Sequence, residues 1–297
     1  MAYKPQPVLR IYIPKAGSQR KRPLGIPTLE DKLVQAGLVR ILQAIYEQDF
    51  LDDSYGFRPL RSCHDALRAL SGAVENQPIH YIVEADIKGF FDNVDQKQLM
   101  QFISHRIADK RVLRLIRRFL KAGIQEDGQH KASETGTPQG GVISPLLANS
   151  YLHYTLDLWF EKCIKEKCQG YARLIRYADD YVVCFQIEAE AKHFKEAMET
   201  RLKQFNLEVS PEKTQLFEFG VFAQSKAKAR GERPTTFDFL GFTHYNSRSR
   251  DGKRYRMKRK TIGKRLIAKV VAYKEWLKAN RTLPTAEIMK TTVSKLR

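Results

Sequence analysis

Leu174-Ile-Arg-Tyr-Ala-Asp179-Asp180-Tyr-Val-Val-Cys-Phe185 is an apolar alternation broken once, by two adjacent acids. The flanks predict a strand, a tight turn around Ala178-Asp179-Asp180 and a second strand. A second strongly apolar run, Tyr81-Ile-Val-Glu-Ala-Asp-Ile87, reads as another strand with Asp86 near its end. Adjacent carboxylates repel one another, and burial makes their ionisation harder still. A divalent cation relieves both costs, and magnesium prefers one or two carboxylates together with substrate phosphates. Two such ions, roughly 3.5–4 Å apart, clamp the attacking and leaving oxygens of an in-line phosphoryl transfer. An Asp-Asp pair by itself is more often an ordinary polar turn, so the reading depends on the rest of the chain.

Working outward, strands and helices interleave. Leu9-Arg-Ile-Tyr-Ile-Pro14, the basic turn Lys15 to Arg22 and Leu24-Gly-Ile26 read as a hairpin with a basic loop. Leu33 to Phe50 carries apolar residues at helical spacing. Asp65 to Val74 is a short helix, stopped near Asn76-Gln-Pro78. Residues 96–122 look helical, and 145–166 look like one long helix opening at Pro145. A helix from about Ala189 to Phe205 precedes a strand, Leu216 to Phe219, and 261–279 form a basic amphipathic helix. This mixed order favours an α+β architecture over a doubly wound parallel sheet.

Composition narrows the function classes. In 297 residues there are 52 Lys or Arg against 33 Asp or Glu, a net of +19. From Asn246 to Arg297 there are 17 Lys or Arg against Asp251, Glu275 and Glu287, a net of +14. Such a stretch suits a polyanion, either nucleic acid or an anionic membrane face, unless it is simply a solvated helical surface. No run of about 18 apolar residues is present, so no membrane span is expected. The polar, proline-bearing start, Met1 to Arg10, lacks the apolar core of a signal peptide. Cys63, Cys163, Cys168 and Cys184 show no paired spacing and read as reduced thiols of a cytoplasmic protein, without a zinc site.

Taken in order, these pieces resemble a reverse transcriptase of the group II intron type, the intron-encoded maturase family. Arg22-Pro-Leu-Gly-Ile-Pro27 resembles its fingers motif. Asp31-Lys-Leu-Val-Gln35, with Tyr55-Gly-Phe-Arg-Pro59, resembles the segment characteristic of this bacterial lineage. Glu84 to Asp92 resembles motif A, Gly136 to Asn149 motif B, and Tyr177-Ala-Asp-Asp180 motif C. Ser210-Pro-Glu-Lys-Thr214 resembles motif D, and Phe239-Leu-Gly-Phe242 the primer grip. Each is a modest signal alone, whereas their common order over nearly the whole chain is specific.

The resemblance implies an RNA-directed DNA polymerase with a right-hand architecture. Fingers would comprise about 1–79 and 100–137, palm 80–99 and 138–245, and a partial basic thumb 246–297. The palm would be an antiparallel sheet backed by helices, with Asp86 and Asp179-Asp180 meeting on adjacent strands. Asp86, Asp179, Asp180 and the Ile87 carbonyl would hold two Mg2+ ions, with Mn2+ as a substitute. Phe91 would exclude the 2′-hydroxyl of a ribonucleotide, the lesser alternative being plain core packing. Gln139 would line the dNTP pocket. Lys15 and Arg22 would grip the triphosphate, with Arg20 and Lys21 as neighbours that blur the choice. Lys213 would be either the general acid for the leaving pyrophosphate or a surface lysine after a proline turn. Phe239, Leu240 and Gly241 would form the primer grip.

The implied partners are an RNA template, a DNA or RNA primer, dNTPs and intron RNA. Against the family pattern the chain reads as a trimmed or unusually short member that stops inside the thumb, and a homodimer through exposed thumb surface stays open. Two other readings compete. One is a mainly RNA-binding splicing maturase, against which the intact acids argue, because RNA binding needs no clustered carboxylates. The other is a CRISPR-linked or retron-like reverse transcriptase.

Overall fold

The computed structural model describes residues 3–14, 21–137 and 140–296, so the expectations for Lys15 and Gln139 lie outside the described residues. The strands are β1 (Val8–Pro14), β2 (Lys21–Ile26), β3 (Tyr81–Asp86), β4 (Ile124–Glu126), β5 (Gln129–Lys131), β6 (Ala172–Tyr177), β7 (Asp180–Phe185), β8 (Gln215–Glu218), β9 (Thr236–Phe239), β10 (Phe242–Arg248) and β11 (Tyr255–Thr261). The helices are α1 (Leu29–Tyr46), α2 (Cys63–Asn76), α3 (Phe90–Asn93), α4 (Gln96–Ser104), α5 (Lys110–Lys121), α6 (Ser144–Leu152), α7 (Glu188–Lys203), α8 (Ala223–Ala229), α9 (Gly263–Ala279) and α10 (Thr285–Leu296). The α+β class expected from the element order holds.

The central sheet has the order β6-β7-β3-β8, all antiparallel. Its strands read as almost continuous apolar runs because both faces are covered. Val83, Ala85, Tyr181, Val183 and Phe185 face one core, shared with α4, α6 and α7. Ile82, Val182 and Cys184 face a second core built with α2 and the small sheet β11-β10-β9. Each fully buried aliphatic or aromatic side chain here adds about 1.5–3 kcal/mol of transfer free energy. By the same alternation, Glu84, Asp86 and Asp180 belong to the second face.

Helix starts follow local chemistry. Thr28 caps α1 by accepting from the Asp31 N–H (3.2 Å), which sets its beginning four residues ahead of the expected Leu33. Ser62 and Asp65 form a reciprocal capping box at α2.

Several expectations change in detail. The helical stretch 96–122 is two helices, because Asp109 caps a new start by accepting from Arg111 N–H (2.7 Å). The long helix expected at 145–166 starts at Ser144 and widens into π-helical turns at His153–Asp157 and Phe160–Ile164. The basic helix expected at 261–279 starts at Gly263, because β11 runs on through Thr261. Among the described residues, no helix is long and apolar enough to cross a membrane.

Candidate active site

β3 and β7 pair with Asp86 directly opposite Asp180, and β6 pairs with β7 with Tyr177 opposite Asp180. Asp179 therefore sits in a two-residue turn, beside Ala178. Ala178 has φ 58°, a left-handed conformation that costs a side-chain-bearing residue roughly 1–2 kcal/mol. Surrounding structure must hold it there.

That structure is a buried arginine. Arg176 is fully buried. Its Nε donates to Asp157 Oδ1 (2.7 Å) and its Nη2 to Asp157 Oδ2 (2.5 Å), a bidentate pair. Nη2 also donates to Ser54 Oγ (2.7 Å), and Nη1 donates to Asn149 Oδ1 (3.0 Å) and to the Ala178 carbonyl (2.9 Å). The loop around Ser54 is stitched to the same strand, since Arg176 N–H donates to Asp53 O and Tyr55 N–H donates to Arg176 O. Asn149 Nδ2 donates to Gly56 O (2.6 Å). Gly56 itself lies so close that a Cβ there would stand 2.3 Å from Ala178 N. Arg58, also buried, secures this loop through Glu47 and the carbonyls of Leu51 and Ser54.

The carboxylates above this platform resist ionisation. Burial, then Asp86 and Asp179, push Asp180 up to about 7, while the Leu240 backbone N–H and Lys213 pull the other way. Burial raises Asp179 too, with Asp86 adding to it and Arg22 and Lys213 opposing. Glu84 is likewise pushed up to about 7, by burial first and then by Asp180, Asp238 and Asp86. Lys213 Nζ donates to Asp86 Oδ2 (2.6 Å), in a half-exposed ion pair. Among the described residues, no three His, Cys, Asp or Glu side chains converge into a cage for one metal ion. The donor set is still the oxygen-only, carboxylate-rich kind that magnesium takes, with the remaining ligands coming from phosphates and water. Carboxylates held in mutual repulsion gain most from such a cation.

The other expected residues fall around this centre. Ile87 is buried and bridged to Val209, so what this position can offer a ligand is backbone. Phe91 is half-buried, with its ring edge-on to Phe90 at 5.4 Å. Its carbonyl accepts from Thr137 N–H (2.7 Å), which docks the start of the Gly136–Asn149 segment beside it. Gly140 has φ 105°, and a Cβ there would stand 2.3 Å from Gly25 O, so only glycine fits against β2. Arg22 lies exposed on β2, opposite Ile13. Phe239 is buried in the second core, whereas Leu240 (φ 48°) and Gly241 (φ 87°) form the turn whose backbone reaches Asp180.

Sequence reading passed over Arg176, Asp157, Asn149, Ser54, Gly56 and Glu84. One signal was available. An arginine inside a strand that is otherwise apolar is a buried charge that must have a partner.

A family model described as reverse transcriptase (RNA-dependent DNA polymerase) matches residues 13–244. The chain is 52% identical over 151 residues to the group II intron-encoded protein LtrA of Lactococcus lactis subsp. cremoris, covering 51% of this chain and 25% of that protein. It is 35% identical over 248 residues to the protein YkfC of Escherichia coli K12, covering 72% of this chain and 64% of that protein. The chain thus spans about a quarter and just under two thirds of these two relatives. Among solved structures, an apo telomerase of Candida tropicalis truncated from its C-terminal domain superposes with a TM-score of 0.60 at 15% identity, over 80% of this chain and 53% of that one. A telomerase of Candida albicans in complex with a fragment of telomeric RNA gives a TM-score of 0.59 at 14% identity, over 82% and 44%. At such identities the likeness speaks for the fold alone, a right-hand polymerase.

Proposed function

The chain belongs to the reverse transcriptase (RNA-dependent DNA polymerase) family, and from that premise we propose that it is the polymerising part of a bacterial group II intron-type retroelement protein. It would copy an RNA template by extending a DNA or RNA primer with dNTPs. The observation that carries the reading is the facing pair Asp86 and Asp180, with Asp179 in the adjoining turn. We take the palm to be the β6-β7-β3-β8 sheet with its helices, the fingers to include the β1–β2 hairpin, and the thumb to begin after β11.

Asp86, Asp179, Asp180 and the Ile87 carbonyl are the groups that would hold two Mg2+ ions, or Mn2+ in their place. Those ions, when bound, lower the charge on the primer 3′-oxygen and on the leaving pyrophosphate. The chain's own groups would do the rest. Arg22, with Lys15 across the hairpin, would grip the triphosphate, and Gln139 would line the dNTP pocket. Phe91 would crowd the sugar 2′-position. The Leu240-Gly241 turn would seat the primer end next to Asp180. Lys213 Nζ holds a proton 2.6 Å from Asp86 Oδ2 and is the candidate donor to the pyrophosphate.

Single-dNTP addition to a DNA primer on an RNA template, with Mg2+ or Mn2+, tests this directly. The parent should extend the primer and Asp179→Ala should fall by several orders of magnitude. Equal extension by both would remove the carboxylates from the mechanism. The strongly basic stretch after Asn246 also suits an intron RNA partner, so a maturase role is proposed alongside polymerisation. A bacterial cytoplasmic location is proposed from the bacterial relatives.

A further inference from the structure

α5 carries a charge pattern that the polymerase reading leaves unused. Its sequence, Lys110-Arg-Val-Leu-Arg-Leu-Ile-Arg-Arg-Phe-Leu-Lys121, has six cations and no acid in twelve residues. At 100° per residue, Lys110, Arg114, Arg117 and Lys121 fall within one stripe about 60° wide. Arg111 and Arg118 flank the stripe. Ile116, Phe119 and Leu120 occupy the opposite side and are buried.

The stripe is exposed, and its charges are free. Arg111 meets Asp109, and Arg118 donates to the Tyr3 carbonyl. Lys110, Arg114, Arg117 and Lys121 are all exposed and have no carboxylate partner among the described residues. Some helical lysines elsewhere on the surface are paired along the helix, as in Lys165–Glu161, Lys192–Glu188 and Lys278–Glu275. A run of unpaired like charges along one helix face costs stability through repulsion, by a few tenths of a kcal/mol per pair. Arg117 and Lys121 also line an open groove of about 540 Å3 with Lys97 of α4, Gln96, Gln101 and Ser104, where Glu134 is the one acid among the lining residues.

We propose that this face of α5, with Lys97 at its edge, is a docking surface for the phosphate backbone of folded RNA, separate from the carboxylate site. Four cations spread over about 16 Å of helix match a polyanion with one phosphate per ~3.4 Å of each strand. Hydrogen-bonding neighbours such as Gln101 and Ser104 add backbone or 2′-hydroxyl contacts, and the surface reads no sequence. The proposal deepens the intron-RNA part of the functional reading and rests on it, yet it can fail alone.

The test is equilibrium binding of the whole chain to a base-paired RNA hairpin, too long to sit only in the catalytic cleft, across a salt series. The variant is Arg114→Gln/Arg117→Gln/Lys121→Gln combined with Lys110→Gln. Each lost phosphate contact lowers the slope of log affinity against log salt by about 0.9, the duplex-DNA value. Four lost contacts mean that the parent loses about a hundredfold more affinity than the variant between 50 and 200 mM salt. Single-dNTP addition on a short annealed primer–template should stay within twofold. Arg114→Lys/Arg117→Lys, which keeps the charge, should bind as the parent does.

An unchanged slope in the quadruple variant overturns the proposal. So does parallel loss of short-duplex extension, which would put α5 inside the polymerase cleft. Binding of the parent, but not the variant, to anionic phosphatidylserine vesicles, with RNA affinity unchanged, would overturn it in favour of a membrane surface. If neither protein adds a dNTP, the polymerase reading falls while the hairpin series still decides this one.

Discussion

Gly56→Ala is a one-methyl change that acts on the turn bearing Asp179 and Asp180. Built on the existing backbone, the new Cβ stands 2.3 Å from Ala178 N and 3.0 Å from the Tyr177 carbonyl carbon, where ordinary contact begins near 3.4 Å. Both neighbours are backbone, so no flexible side chain can yield. Either the Ser54–Arg58 loop or the turn must move by about 1 Å. The loop is tied down by Arg58, Asn149 and the Ser54–Arg176 bridge, whereas the turn is tied by Arg176 and strand pairing. Both are stiff, and the strain of overpacking is shared, at about 1–3 kcal/mol. A 1 Å misplacement of catalytic groups costs on the order of a hundredfold in rate. Single-turnover dNTP addition should therefore slow about a hundredfold, while melting falls by roughly 2–5 °C. Gly72→Ala in α2 is the control, because a Cβ there meets nothing within 4 Å. It should be neutral or stabilising by up to ~1 kcal/mol. A Gly56→Ala protein that melts lower but adds dNTP at the parental rate would show that the loop gives way, and the claim that it braces the turn would be wrong.

Arg176→Met leaves Asp157 buried without its partner and should destabilise the fold by about 3–5 kcal/mol in urea unfolding. Coupling it to Asp157→Leu should restore much of that loss, and a double variant no better than the single would refute the pairing argument. His244 is fully buried, stacked on Phe237 at 5.0 Å, and burial lowers its pKa to about 4. A depressed histidine favours the neutral form, so its contribution is intact above the unfolded value near 6.5 and is lost as pH falls through about 4. Melting temperature should drop over that window, by up to ~3 kcal/mol of stability, and His244→Phe should flatten the drop. Phe91→Ala should reduce the preference for dNTP over rNTP by about 10–100-fold in competing single additions, equal to ~1.4–2.7 kcal/mol of discrimination. A preference that stays parental would make the ring a packing group only.

How much was legible follows from where the signal lay. β3, β6 and β7 were readable because each is a near-continuous apolar run buried on both faces, and the acids interrupting those runs stood out. β11 was not. Tyr255-Arg-Met-Lys-Arg-Lys-Thr261 fully buries only Met257, with Tyr255 half-buried, and four of its seven positions are Lys or Arg, so it reads as a basic solvated stretch. What makes it a strand is the seven-residue register with β10, a tertiary fact. The break between α4 and α5 was available in Asp109, a capping residue overlooked because Ile107 keeps the apolar period going. The π-helical widening at His153–Asp157 has no period of its own in the sequence. Yet it coincides with Asp157, the residue that reaches Arg176 from nineteen positions upstream. For the site, residue types and order gave the acids, whereas their supports come from segments far apart, such as Ser54 and Arg176.

The support under the turn is electrically quiet, and that has a reason. A lone guanidinium three residues from Asp179 would favour its ionised form strongly in a buried setting. Arg176 is instead matched by Asp157 in a bidentate pair, so it lends geometry through Ala178 O with little net charge. The cations left to oppose the Asp179 shift are Arg22 on an exposed strand and Lys213 on a half-exposed loop. Both can move with solvent and substrate, and neither is locked into the core. The carboxylates are thereby held in place by a neutral platform, while burial first and then their mutual repulsion keep Asp180 up at about 7. A fixed buried cation would have competed with any divalent ion for the same oxygens. Pairing Arg176 below the turn keeps the position and removes the competition, an arrangement expected of a cation-binding site rather than of a structural turn.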